Sequence, residues 1–405
     1  MKGKGSFLRL IRFELRKNFL SPMMLVLVAV LLLLNGWKLQ EEYREKTKEF
    51  AQDQEVYTAF YHKWKGSITQ EHVNELMSIA GPLEEKFQLG QINYLPSQNT
   101  YTESEWTDYR FFSSQFVTEM KYDYLYQNEA IHIVDQAKEL AAFYEALGNR
   151  YEVSKNQAIV SAYWGRTIQQ FADTQWVEVW LNHDYSAMLI LLLSLFGLCT
   201  VFVTERETQM YMLLRTTKFG SSATVAAKML ASLFFVVVIC ILFFTEDFLV
   251  LQLMSGRWEA LRSPVYAIRY LETTPLTMTI GSFILWCGVI KTAGVSVMGL
   301  AMLLISCLCR RVLATFISGF GTMMALIVMQ EFCRTRMEMK WFNPMELIMV
   351  RELVTETTFV NVFDRAVHTY IVVLVGLLFT GIVLYIGILR TNPGRAERRT
   401  YRVST

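Results

Sequence analysis

Thr224–Thr245 reads TVAAKMLASLFFVVVICILFFT, and the only charge in it is Lys228, close to its start. A bilayer core about 30 Å thick is crossed by roughly 20 residues rising about 1.5 Å each. This stretch is long enough, and apolar on every face. Buried helices of a soluble protein rarely stay apolar all round over such a length. Five more stretches share the pattern: Phe19–Trp37, Ser186–Val203, Phe283–Leu308, Val312–Gln330 and Thr369–Leu389. Backbone polar groups find no water in lipid, so each is expected as a helix. The expected fold is all-α, a six-helix polytopic membrane protein.

The spacing of the six is lopsided. Between the first and second lie residues 38–185, 148 in all. They dilute the apolar content to 53% over the chain. The expected organisation is a cytoplasmic interfacial helix over 1–18, a first span over 19–37 and a mainly helical extracytoplasmic domain over 38–185. A five-helix transmembrane domain over 186–389 and a basic cytoplasmic tail over 390–405 complete it.

The N-terminus imitates a secretory signal, with basic residues before Met23–Leu34. Asn35-Gly36-Trp37-Lys38 offers no small-x-small cleavage pattern, so an uncleaved anchor is expected. Ser21-Pro22 suits its start, with Ser as cap and Pro at the first helical position. Ahead of it, Arg9, Arg12 and Arg16 share one helical face, and Phe7, Ile11 and Leu15 share another. Such a helix lies in the interface with its basic face toward anionic headgroups.

Basic residues set the orientation. The arm, the 204–228 loop, Arg310-Arg311 and the tail together hold 17 Lys/Arg against four acids. The remaining segments hold 22 Lys/Arg and 33 Asp/Glu. The total of +2 thus divides into +13 on the side expected to be cytoplasmic and −11 on the other. This pattern fits a multi-pass plasma-membrane protein with both termini inside, and nothing in it points to nucleic acid.

In the large domain, helix signals dominate. Lys38–Trp64 continues the first span outward, with charges at i, i+4, and Gly66-Ser67 breaks it. Thr69–Leu89 is expected to be helical and divided at Gly81-Pro82. Gln91–Tyr101 reads as a loop. Ser104–Leu147 carries apolar residues at helical spacing (Ile133, Ala137, Leu140, Tyr144, Leu147) up to Gly148-Asn149. A last helix from Glu152 is expected to lead into the second span. The domain's 26 aromatics are expected mainly as core, though an acidic, aromatic-rich domain also suits a cationic or amphipathic ligand. Farther on, Asn343-Pro344-Met345-Glu346 has the composition of a short helix start.

Enzyme and metal signatures are missing. No GxxxxGK[ST] is present, and Gly3-Lys4-Gly5-Ser6 lacks its first glycine and a preceding strand. The five histidines do not pair at metal spacing, and neither HExxH nor GxSxG occurs. The large domain has no cysteine and so no disulfide framework. Cys307-x-Cys309, at a span end, reads as small apolar filler.

The informative polar segment joins the second and third spans: TERETQMYMLLRTTKFGSSATVAAK, Thr204–Lys228. A Glu205-Arg206-Glu207 cluster leaves one span. A short amphipathic helix with Met210, Leu213 and Leu214 follows, then a Gly/Ser break, and Lys228 opens the next span. This resembles the permease subunits of the type-2 ABC exporter family, in the subfamily with a large extracellular insert between spans one and two. Six spans, an interfacial N-terminal helix and a very short Arg310-Arg311 loop agree with that pattern. Gln209 stands where many members have glycine, and the insert is far larger than in the simplest members.

The resemblance implies that the loop helix docks into a groove of a separate cytoplasmic ABC ATPase. Glu205, Arg206 and Glu207 would make charged contacts there and Leu213 and Leu214 would pack, with Lys228 completing the motif. It implies ATP used by that partner with no cofactor bound directly, and a second permease copy or a paralogue. The chain would then be a non-enzymatic subunit forming an export path. The alternative is a non-transporting sensor or scaffold whose outer domain binds a ligand or an envelope partner.

A second candidate polar site lies on the outer side. A Lys at the bilayer centre costs roughly 2.5–3.5 kcal/mol on insertion scales, so Lys291 is expected to face protein or water, or to snorkel. Seventeen residues before Leu308, it falls about 26 Å up a helix, near the outer interface. Either it snorkels there, leaving Met278–Ile290 as an interfacial or re-entrant helix, or it pairs with Glu246 or Asp247. Those two acids otherwise read as interface residues facing water. Gly288, Thr292 and Ser296 form a small-residue stripe suited to close helix packing.

Overall fold

A computed structural model gives the fold and describes residues 4–48, 54–92, 103–210, 220–332, 341–355 and 357–391. Six helices are long and apolar enough to cross a membrane: Pro22–Thr47, Gln175–Glu207, Ala223–Ser255, Ile280–Leu308, Val312–Phe332 and Thr369–Thr391. The chain is an all-α polytopic membrane protein, as the six apolar stretches predict. Leu213 and Leu214, most of the Gln91–Tyr101 loop, Cys333 and the basic tail lie outside the described residues.

The spans pack through two apolar cores stacked along the helix axes. Toward the basic end, Leu31, Ile190, Leu195, Met229, Val236 and Met298 are buried together. Toward the acidic end, Trp176, Trp180, Leu251, Phe283, Ile290 and Leu377 form the second core. Helices one and three approach closely at Gly36, where a Cβ would stand 2.9 Å from Glu246 Oε1.

The N-terminal helix runs Lys4–Asn18. Arg9, Arg12 and Arg16 are exposed, while Ile11 and Leu15 pack on the first core. This is the expected amphipathic division. Ser21 Oγ accepts from Met24 N at 3.3 Å, capping the first span as the Ser-Pro pair predicts. That span continues as one helix to Lys48, and Gln54–Trp64 is a helix of its own, so the expected continuation to Trp64 is seen only as far as Lys48, with 49–53 outside the described residues.

The third helix is 36 residues long, Gly220–Ser255, about 54 Å and well beyond a bilayer core. Glu246 and Asp247 therefore lie within the helix. Asp247 is 3% exposed, and the expectation that it faces water is corrected. The fourth span is one helix, Ile280–Leu308, N-capped by Thr279. The interfacial or re-entrant segment over Met278–Ile290 does not exist. Lys291 is 3% exposed, so it does not snorkel.

Three features of the large domain also differ from expectation. Gln70–Ile92 is one helix with Pro82 inside it, undivided at Gly81-Pro82. The helix from Glu152 is Arg150–Tyr163, capped by Asn149, whose side chain accepts from Glu152 N. It stops at Trp164-Gly165, where Gly165 takes φ +72°, and does not reach the second span. The chain instead forms a two-residue strand, Gln170–Phe171, paired with Gly66–Ser67. It then turns into Gln175–Asn182, bends at His183-Asp184, and enters the span at Tyr185. Glu103–Phe112 and Thr118–Ala146 are joined by a π-helical turn, Ser113–Val117.

Much of the domain's described core is aromatic, as expected, while Tyr124, Phe143, Trp164 and Tyr185 are exposed. Phe116 lies 5.1 Å from Trp64 and 5.2 Å from Tyr57, ring to ring. Arg166, buried, ties this domain to the loop between spans three and four. It donates to Ala162 O (2.7 Å), Tyr126 Oη (3.2 Å) and Thr274 O (2.9 Å), and stacks on Tyr163 and Tyr266. Asn343 Oδ1 accepts from Met345 N, starting the short helix Met345–Ile348 that its composition predicts. A hairpin, Phe359–Val362 with Arg365–His368, leads into the sixth span.

Candidate functional site

Two polar clusters sit among the spans. Lys228 and Asp247 mark them on the third helix, 19 residues and about 28 Å apart. That separation is close to the thickness of a hydrocarbon core.

The first cluster is at the basic end. Lys228 is 1% exposed, and its ammonium donates to Glu14 Oε2 (3.1 Å), Glu205 Oε1 (2.8 Å) and Val201 O (3.2 Å). Glu205 also accepts from Lys17 at 2.9 Å, and Glu14 from Asn18 Nδ2 at 3.0 Å. A buried ammonium needs this many acceptors, because an uncompensated charge in low dielectric costs several kcal/mol. The result is one junction of the N-terminal helix, the end of span two and the start of span three.

The charged triplet of the loop divides by role. Glu205 faces inward into this junction. Arg206 Nη1 donates to Cys309 O at 3.3 Å, tying the loop to the end of span four. Glu207 and Met210 are exposed. Gln209 adopts φ +58°, in the left-handed region that favours glycine.

The second cluster is at the acidic end. Asn35 is fully buried on the first span. Its Nδ2 donates to Asp247 Oδ1 at 2.6 Å and to Glu246 Oε2 at 3.2 Å. Its Oδ1 lies 3.1 Å from His183 Nε2 and, carrying no hydrogen, accepts from it. His183 Nδ1 lies 2.7 Å from Glu42 Oε2. Spans one and three are thereby tied to the bend that opens span two.

Lys291 is not a member of that hydrogen-bond network. Its ammonium lies over the Trp180 ring at 5.4 Å and the Phe244 ring at 5.9 Å, and makes no hydrogen bond or ion pair among the described residues. It lies within electrostatic reach of Asp247 and Asp184 without touching either. The candidate pairing of Lys291 with Glu246 or Asp247 is replaced by Asn35 and His183 on the acids and by aromatic faces on the lysine. Ring quadrupoles offset part of the desolvation of such a cation. Thr292 Oγ1 and Ser296 Oγ each donate to a backbone carbonyl four residues back in their own helix.

Sequence reasoning missed Glu14, Lys17, Asn35, Glu42 and His183. Two carried a readable signal. Glu14 lies seven residues after Phe7 and three after Ile11, on the helical face that the apolar residues occupy. Asn35 is a lone amide in an otherwise apolar span, and polar groups in such spans turn to partners inside the bundle.

Among the described residues, no group of His, Cys, Asp or Glu has the arrangement of a metal site. Compared with known proteins, the chain matches no family model and no curated relative.

Proposed function

We propose that the chain is the membrane-spanning permease subunit of an ABC exporter in the plasma membrane, with its basic end cytoplasmic. It works with a separate cytoplasmic ABC ATPase, which uses the ATP, and with a second permease copy or a paralogue. The observation that carries this reading is the Lys228 junction. It fastens the base of the 204–228 loop to spans two and three and to the N-terminal helix at once. A force applied to the loop therefore reaches three helices through short, buried, charge-assisted contacts.

Division of the triplet supports the same reading. Glu205 and Arg206 hold the loop to the bundle, and Glu207 and Met210 remain on its surface for a partner. Leu213 and Leu214 enter as the partner's apolar contacts through the family resemblance. The left-handed backbone at Gln209 is the conformation for which glycine, found there in many members, is the natural residue. At the acidic end, the Asn35 cluster is a second fastening of spans one, two and three, on the side where an export path would open.

Crosslinking from the loop tests the proposal. Met210→Cys, with Cys309 and Cys333 replaced by serine, is treated in native membranes with a short bifunctional maleimide. The expected product is an adduct with an ATPase subunit, whose yield changes on adding a non-hydrolysable ATP analogue. Adducts with other proteins only, or a yield indifferent to nucleotide, would count against the reading and favour a sensor or scaffold.

A further inference from the structure

A cavity of about 390 Å3 opens between the large domain and the loop that follows the third span. Its size is in the range of small-molecule sites. One wall is the π-helical turn Ser113–Val117. There Ser113 O accepts from both the Thr118 backbone N–H and Thr118 Oγ1 (2.7 Å), holding the widened turn in place. Such turns within α-helices concentrate at functional sites. Tyr122, another wall, is fixed by donating its hydroxyl to Tyr266 O at 2.7 Å. Tyr109 and Leu125 also line the cavity.

The lining is net negative, with Glu84, Glu129 and Glu272 against Lys121 and Arg269. Glu84 holds Lys121 at 3.8 Å, so that pair is internally balanced. Arg269 lines the cavity too, is exposed, and has Glu119 within electrostatic reach. Glu129 and Glu272 make no ion pair among the described residues, and both lie within electrostatic reach of the Tyr122 hydroxyl. Two uncommitted carboxylates beside tyrosine rings and an apolar side chain make a cradle for a positive group on an organic body. The net negative charge of the chain's acidic side raises the local concentration of cations around it.

We propose that this cavity binds a small organic cation, an ammonium or guanidinium group carried on an aromatic or aliphatic body. Glu129 and Glu272 take the charge, and Tyr109, Tyr122 and Leu125 take the body. The site requires no transport step and stands whether or not the chain is a permease.

The test uses the purified full chain in lipid nanodiscs, with phenethylamine as probe and phenethyl alcohol and phenylacetate as its neutral and anionic counterparts. Binding is read by saturation-transfer NMR and calorimetry. The expected order is amine well above alcohol, with phenylacetate weakest. Glu129→Gln with Glu272→Gln should weaken the amine at least tenfold and leave the alcohol unchanged, and Glu145→Gln, on the same long helix, should change nothing. Glu129 and Glu272 are exposed, so these changes leave the fold intact, as an unchanged unfolding temperature would verify. Equal affinity for amine and alcohol, no loss in the double variant, or no binding on the order of 10 mM amine would overturn the proposal.

Discussion

Replacing Lys228 with methionine is the most informative single perturbation. The change keeps the length and apolar volume of the side chain and removes the ammonium. Three interactions vanish: those to Glu14, Glu205 and Val201 O. Glu205 keeps Lys17, but Lys17 is 39% exposed, and a pair of that kind contributes at most about 1 kcal/mol. Glu14 keeps only the amide of Asn18 while its side chain stays 3% exposed. Removing one partner of a buried pair typically costs about 3–5 kcal/mol. The contacts that survive place this case near the lower end, about 3 kcal/mol. Glu14→Gln in the same chain removes the stranded charge, so the double variant should recover to within about 1 kcal/mol of the unaltered protein. The assay is reversible unfolding in mixed micelles, run as a double-mutant cycle. A loss under about 1 kcal/mol for Lys228→Met alone, or simple addition of the two losses, would refute the reasoning that the junction is one coupled unit.

Other expectations follow from the same physics. Asn35→Ala deletes three hydrogen bonds inside the bundle. At about 0.6–1.7 kcal/mol each, the same unfolding assay should show a loss of roughly 2–5 kcal/mol. In the large domain, burial first and then the Glu178 carboxylate push Glu119 up to about 7. A carboxyl raised on folding stabilises the folded state fully below its ordinary value of 4.5, and that contribution is lost as pH rises to about 7. Domain stability should therefore fall by up to about 3 kcal/mol between pH 4.5 and 7. Asp123, raised by burial and by Glu119, acts in the same direction. Glu119→Gln should flatten that profile, measured as hydrogen exchange along Thr118–Ala146. Gly376→Ala would drive a methyl group into the carbonyl of Trp341, and a loss of about 1–3 kcal/mol is expected. Gly381→Ala meets only Val297 Cγ2 at 3.6 Å and should be neutral in the same measurement.

The spans were legible because lipid imposes one solution on a long apolar run. Their ends were less so. Polar residues at the third helix's far end look like an interface from sequence, yet the helix continues because Asn35 and His183 receive Glu246 and Asp247. Those partners lie more than 60 residues from the acids, and Asn35 is 212 positions from Asp247. Glu14 and Lys228 are 214 apart. Helical phase exposes one member of each pair and says nothing of the other. In the large domain, Pro82 did not end its helix: Val73, Leu76 and Ala80 before it are buried in the domain core and Leu83 just after it packs there too, which offsets the bond it removes. Gly165 ended one that sequence reasoning had extended. The loop motif was legible as a pattern, but only the geometry divides it into an inward Glu205 and an outward Glu207.

On the permease proposal, an ATPase grips the exposed part of the loop. The most direct measurement is recovery of the chain in mild detergent from its native membrane, unaltered and as Glu207→Arg, with ATPase activity assayed in each eluate. Glu207 is exposed, so its change leaves the Lys228 junction untouched. An ABC ATPase is expected on the unaltered chain and lost, with its activity, from the variant at equal yield of folded protein. An eluate without ATPase, under conditions that preserve other membrane complexes, would contradict the proposal.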